Sequence, residues 1–247
     1  MPCDAIICDW NGTITKDQDE KPILESIAVD LFKASIPWHP IRMVHILKAR
    51  KELEALHEEG RRDSEFDFIV EMFRIYNTKI INGVPTSVIE RSVKKYADKQ
   101  HTLDKLDYRV LRPVDESHRR GKATGILSAG YRYGIQMILK AAGYDVSFDF
   151  CEANLLQERG GRVIGIDLNI YRNKVQLLME LLRERDIDEK RVMYLGDGED
   201  DADCLEIVGH PIVAFHASDE LKQRYARKYK AFIPRTEEDL ARYFQDI

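Results

Sequence analysis

Three short clusters in the 247-residue chain hold residue types that could do chemistry together. The first is Asp9, Asn11, Gly12 and Thr13. The second is Ser128-Ala129-Gly130. The third is Gly196-Asp197-Gly198, followed by Asp200 and Asp201. A fourth contributor, Lys174, stands alone at the start of a helical pattern. Carboxylates, a hydroxyl, small-residue turns and one lysine suit a Mg2+ ion beside a phosphate. Hard carboxylate oxygens share Mg2+ with phosphate oxygens, and backbone N–H groups at helix starts take up phosphate charge. Each residue also has a plainer reading. Asp9 could cap a turn, Ser128 could be an N-cap, Asp197 and Asp201 could be helix-start acids, and Lys174 could be a surface lysine.

The elements that must position these residues follow from apolar patterning. Short apolar runs at Ala5–Cys8, Ala123–Leu127, Phe148–Ala153, Val192–Leu195 and Ile212–Phe215 read as buried strands. Helical stretches at Tyr131–Ala142, Asn173–Arg185 and Asp201–Val208 lie between the later ones. This alternation predicts an α/β fold with a mainly parallel sheet. Such sheets bind ligands beyond the carboxyl ends of their strands, where the first three clusters fall. Residues 16 to 105 differ: helical periodicity dominates at Ile41–His57, Phe66–Tyr76 and Val88–Ala97, punctuated by Pro37, Pro40, Gly60, Gly83 and Pro85. They read as a helical insert after the first strand. Leu155–Ile166, with Gly160-Gly161 at its centre, reads as a β-hairpin.

Composition narrows the function classes. With 38 basic and 43 acidic residues the net charge is −5, which argues against a nucleic-acid or anionic-membrane surface. The longest run without Asp, Glu, Lys or Arg, Ile207–Ser218, is 12 residues, short of a membrane span. No basic residue precedes the first apolar run, so no secretory signal is expected. Cys3, Cys8, Cys151 and Cys204 lack metal-ligand spacing and read as reduced thiols in a cytoplasmic protein.

The clusters resemble the ordered motifs of the haloacid dehalogenase superfamily. Ile6–Thr15 resembles the first motif, Leu127–Tyr131 the second, Lys174 the third and Leu195–Asp201 the fourth. Glu152-Ala153-Asn154-Leu155 with its Gly-Gly hairpin, and Val213-Ala214-Phe215 with Lys222 beyond, are similar to the phosphoserine-phosphatase branch. The resemblance implies a Rossmann-like core, a parallel sheet with helices on both faces, over residues 1–15 and 106–247. A helical cap over residues 16–105 would close over the site, exclude water and select the substrate. It implies a Mg2+-dependent phosphatase of a small phosphorylated metabolite, with Asp9 as nucleophile. Mg2+ would bind Asp9, the backbone carbonyl of Asn11 and Asp197, with Asp201 holding the ion or its water. Ser128, Ala129, Gly130 and Lys174 would hold the phosphoryl oxygens, with Asp200 alongside.

Two positions depart from the family pattern. Where its phosphatases carry a second Asp that protonates the leaving oxygen, this chain has Asn11, whose amide exchanges no proton at neutral pH. General acid–base help is typically worth about 10²–10⁴ in rate. Four readings stay open: a slow phosphatase, a substrate with an acidic leaving group, a proton from another residue, or a phosphate-ligand binding protein without turnover. An engineered substrate trap fits the same residues. The second departure is Asp200, where the branch has Asn. It reads either as a partial replacement for the missing acid or as an exposed loop carboxylate.

Other residues have two readings each. Arg61 and Arg62 could meet a substrate carboxylate or form a solvated helix start. Gln18 stands where phosphoserine phosphatases place a Glu for the substrate amine, which argues against phosphoserine itself. Trp38 and His39 could line a pocket or pack a turn. The five basic residues of Lys222–Lys230 read as a solvated helix face. Among the histidines, His216 is the one worth testing for catalysis, because it follows a strand end.

Overall fold

The computed structural model describes residues 3–16, 20–35, 40–60 and 68–247. Gln18, Trp38, His39, Arg61 and Arg62 lie outside the described residues. In chain order the elements are β1 (Ala5–Cys8), α1 (Glu20–Ser35), α2 (Pro40–Gly60), α3 (Phe68–Ile75), α4 (Thr86–Ala97), α5 (Gln100–Leu103) and α6 (Tyr108–Arg119). They continue with β2 (Ala123–Tyr131), α7 (Arg132–Ala142), β3 (Phe150–Asn154), β4 (Leu156–Arg159), β5 (Arg162–Ile166) and α8 (Asn169–Glu184). The chain ends with β6 (Val192–Gly196), α9 (Ala202–Ile207), β7 (His210–Val213), α10 (Asp219–Tyr229) and α11 (Glu237–Asp246).

The chain forms two compact units. The first comprises Met1–Asp19, Ala97–Asn154 and Asn169–Ile247. Its five-stranded sheet has the order β3-β2-β1-β6-β7, and all its pairings are parallel. The fold class read from the sequence is the one observed. β1 is the central strand, and its four side chains are all buried, as expected where both sheet faces are covered. Alternate residues serve opposite faces. Ala5 and Ile7 join Leu127, Val192, Tyr194 and Val213 in a core closed by Leu178, Leu181 and Leu182 of α8, Leu205 of α9 and Tyr225 of α10. α6 packs on β2 and against α11, with Val110, Leu111, Val114, Leu240 and Phe244 buried.

Cys8, Cys151 and Cys204 are free thiols, and burial raises the pKa of each; Cys151 and Cys204 are pushed up to about 12. They behave as small hydrophobes rather than reactive groups.

The second unit comprises Glu20–Tyr96 and Leu155–Leu168. It is helical apart from the antiparallel pair β4-β5. Gly160 and Gly161, with φ of +58° and +71°, make the two-residue turn that such a hairpin demands. After α3 the helix widens into a π-helical turn, Tyr76–Ile81, in which Tyr76, Ile80 and Ile81 are buried.

The observed division departs from the sequence boundaries in one substantial way. Residues 106–247 were expected to belong wholly to the core, whereas Leu155–Leu168 groups with the helical unit. Backbone hydrogen bonds are the cause: Gly83 N donates to Val163 O, Val163 N to Val84 O, and Thr86 N to Gly161 O. The hairpin thus extends a segment some 80 residues earlier in the chain.

No described helix is long and apolar enough to cross a membrane.

One tight approach fixes β7 against the turn before β6. Gly209 N donates to Glu189 O at 2.9 Å, and a Cβ at Gly209 would overlap the Lys190 carbonyl. Backbone cannot swing away as a side chain can. Gly209→Ala is therefore expected to cost about 1–3 kcal/mol, as overpacking does. Urea unfolding would read this as a lower midpoint, and an unchanged midpoint would contradict it.

Candidate active site

The register of the sheet sets the site. Cys8 pairs with Ile126 on one side and Leu195 on the other, so the three neighbouring strands deliver the residues that follow at similar heights. Asp9 directly follows β1, Asp197 directly follows β6, and Ser128 lies within β2, two residues beyond Ile126.

After β1 the chain turns sharply. Ile14 N and Thr15 N both donate to Trp10 O at 2.9 Å, and Gly12 adopts φ +69°. Asn11 lies half-buried in this turn and bridges to Thr15. A Cβ at Gly12 would occupy the space of the Asp197 carboxylate. Glycine is thus required twice, for its conformation and for the approach. Thr13 Oγ1 donates to Asp197 Oδ1 at 3.1 Å across the same gap.

The loop after β6 is organised by Asp201, which is fully buried. Its Oδ2 accepts from Asp197 N at 3.0 Å and Gly198 N at 3.2 Å. Its Oδ1 accepts from Tyr194 Oη at 2.7 Å and Lys174 Nζ at 2.5 Å. These contacts engage all four lone-pair positions of the carboxylate. Gly196 makes room for it, since a Cβ there would overlap the Asp201 side chain. Behind the loop, the buried Tyr225 donates its hydroxyl to Gly198 O at 3.1 Å.

Lys174 opens the longer part of α8, as the periodicity predicts, but a short helical turn precedes it. The helix begins at Asn169 and is interrupted at Asn173, with φ −127° and ψ 24°. The kink places Lys174 inside the protein, 4% exposed, where it meets Asp9 at 3.0 Å, Asp200 at 3.1 Å and Asp201.

β2 also runs further than expected, to Tyr131, with a register shift between Ser128 and Tyr131. Ser128 is buried, and its Oγ accepts from Gly130 N at 3.2 Å. Asn154, at the end of β3, donates to Ala129 O at 2.5 Å and fixes the loop from the other side.

The electrostatics are those of crowded carboxylates under one cation. Burial, with Asp201, Asp200 and Asp197 nearby, raises the Asp9 pKa well above the usual range despite Lys174. Burial and Asp201 push Asp197 up to about 7, against the Thr13 hydrogen bond. For Lys174, burial would lower the pKa, but Asp201, Asp9 and Asp200 together hold it well above its ordinary value. It is a fixed positive charge.

One oxygen each of Asp9, Asp197 and Asp201 lies within 4.8 Å of the others. Three carboxylates facing one ammonium leave negative charge for a cation to balance, and an all-oxygen donor set fits Mg2+. Asp201 is saturated by hydrogen bonds, so Asp9 and Asp197 are the carboxylates with lone pairs to spare.

His216 joins a charged group with Asp107 and Arg109. Its Nε2 lies 2.8 Å from Asp107 Oδ2, and Asp107 also accepts from Arg109 Nε at 2.9 Å and Nη2 at 2.7 Å. Burial opposes ionisation of Asp107, but Arg109 and His216 still hold its pKa below the usual value. On the basic stretch of α10, Lys222 donates to Phe215 O, while Arg224 pairs with Glu199 and Lys228 with Glu206.

Sequence reasoning missed Tyr194, Asn154 and Tyr225. A signal existed for the first: a tyrosine in the otherwise aliphatic run Val192–Leu195 needs a partner for its hydroxyl once buried.

Comparisons with known proteins agree with this fold. A phosphoserine phosphatase in a phospho-aspartyl intermediate analogue form superposes with a TM-score of 0.60 at 17% identity, covering 98% of this chain and 99% of that one. Cytosolic 5'-nucleotidase IIIB bound to cytidine gives 0.65 at 17% identity, covering 98% and 86%. A hydrolase from Salmonella enterica serovar Typhi gives 0.59 at 20%, covering 91% and 66%. At these identities the likeness is one of fold. A search of curated proteins by sequence finds no match. The profile of the haloacid dehalogenase-like hydrolases matches residues 6–206, from β1 through the Asp197–Asp201 loop. The chain belongs to the haloacid dehalogenase-like hydrolase family.

Proposed function

We propose that this hydrolase cleaves phosphomonoesters of small metabolites, with Asp9 as nucleophile and Mg2+ as cofactor. The observation that carries the reading is the buried Asp9–Lys174 pair at the end of the central strand, flanked by Asp197 and Asp201. In this reading an Asp9 oxygen bonds to phosphorus as the ester P–O bond breaks, and the alkoxide or phenoxide leaves. Water then attacks the acyl phosphate, releasing inorganic phosphate and restoring Asp9. Mg2+, held by Asp9, Asp197 and the backbone of the Asn11 turn, would supply charge neutralisation at the phosphoryl oxygens. Lys174 and the Ser128–Gly130 loop orient the same group.

Asn11 has no proton to exchange, and Lys174 is held charged. The site therefore favours leaving groups that depart without protonation, such as phenols or acyl groups. Asn11 also supports a second reading, a protein that binds phosphate compounds without turning them over.

Release of phosphate from p-nitrophenyl phosphate tests the two. We expect turnover that requires Mg2+ and stops with EDTA. Asp9→Asn should lower it by at least about 10³-fold, the loss of a nucleophile. Asn11→Asp should raise hydrolysis of alkyl phosphates by about 10²–10⁴ and of aryl phosphates far less. Full activity in Asp9→Asn would refute the nucleophile. Silence in the unaltered chain with activity in Asn11→Asp would favour the binding protein.

The Gly12 geometry gives a separate test. Gly12→Ala places a methyl group in the Asp197 carboxylate and forces an unfavourable φ. Calorimetric Mg2+ affinity is expected to fall by at least about tenfold, in line with the cost of such strain. Unchanged affinity would remove Asp197 from the metal site.

A further inference from the structure

Lys174 has three N–H donors, and each faces a carboxylate: Asp201 Oδ1 at 2.5 Å, Asp9 Oδ1 at 3.0 Å and Asp200 Oδ2 at 3.1 Å. An ammonium in that state can meet a phosphoryl oxygen only by giving one of them up. The three are not equivalent. The side chains of Asp9 and Asp201 are 7% and 0% exposed, so releasing either strands a carboxylate away from water. Asp201 is further tied by Tyr194 and two backbone N–H groups. Asp200 is 45% exposed, and water can solvate it as it leaves. Lys174 is its only charged partner among the described residues. The bare Gly198 lets the Asp200 carboxylate lie back over the loop, since a Cβ there would overlap Asp200 Oδ1.

We propose that Asp200 is a specificity-determining residue. Its carboxylate occupies the Lys174 donor that a phosphoryl group takes, and so weakens the hold of the site on the phosphate dianion itself. Two effects act together: the dianion must displace a hydrogen-bonded carboxylate, and it must then lie beside that negative charge. Tight binding of a substrate must come from the rest of the molecule, and inorganic phosphate leaves readily as product. This inference rests on the phosphatase reading of the site.

The test is calorimetric titration of inorganic phosphate at saturating Mg2+, comparing the unaltered chain with Asp200→Asn. Asparagine keeps the size and removes the charge, leaving Lys174 with Asp9 and Asp201. The expected result is phosphate bound about tenfold more tightly by Asp200→Asn, the size of one like-charge contact near the surface. Asp203→Asn, an exposed acid three positions further on, controls for net charge and should shift affinity less than about twofold. Equal or weaker phosphate binding by Asp200→Asn overturns the inference, as does an equal gain in Asp203→Asn. Failure of both the unaltered chain and Asp200→Asn to bind phosphate, with Mg2+ still bound, overturns the phosphatase reading and this inference with it.

Discussion

The ammonium of Lys174 is what allows carboxylates from two loops to share one buried volume. Removing a carboxylate from water is costly unless a partner compensates it, and a buried ammonium carries the same cost. Asp9 and Asp201 answer to Lys174, and Lys174 in turn answers to them. Neither half is tenable alone, so the loop after β1, the loop after β6 and the kink in α8 stand or fall together. The shifts in ionisation express the same constraint. Asp9 resists ionisation because the carboxylates outnumber the lysine, while Lys174 holds its proton because they surround it.

The scaffold meets that constraint with backbone rather than with bulk. The pairing of Cys8 with Ile126 and Leu195 puts the ends of β1 and β6 at one level, with Ser128 two residues further along β2. Gly12 and Gly196 leave space that Asp197 and Asp201 fill. Tyr194 reaches from the core to the underside of Asp201, so a residue of the hydrophobic cluster takes part in fixing a charge. Saturating Asp201 in this way makes it a strut of the loop. Among the described residues the Asp197 carboxylate has the Thr13 hydroxyl as its one hydrogen-bond donor.

How much of this could be read from the amino-acid order depends on the range of the interactions. β1, β6 and the Gly-Gly hairpin were readable, because continuous burial and turn chemistry are local signals. Asp9, Asp197, Asp201 and Lys174 were named from their order along the chain, and the structure brings their charged groups together. α6 was not read from the sequence; it carries Pro113 inside it and continues through it with its apolar face buried. The helix opening at Asn173–Lys174 was readable, whereas the short turn that precedes it from Asn169 was not. The assignment of the hairpin to the helical unit depends on backbone bonds to residues 83–86, which no periodicity reveals.

These constraints also define what kind of catalyst the site can be. A group that transfers protons must be able to exist in two states near neutral pH. Lys174 is held in its charged state by three acids, Tyr194 is held neutral by burial and by Asp201, and the Asn11 amide has a single state. None of the three can shuttle a proton. Asp197, pushed up to about 7, is the group of the site that can change state near neutral pH, and a bound Mg2+ would hold it ionised; the rest is fixed charge at the carboxyl end of the central strand. In the proposed phosphatase reading, such a site would stabilise charge that develops on a phosphoryl group without reorganising, which is the larger part of phosphoryl-transfer catalysis. The leaving oxygen gains nothing from it. In the proposed reading, it is the amide at position 11 that leaves the chemistry of the leaving group to decide which esters are cleaved.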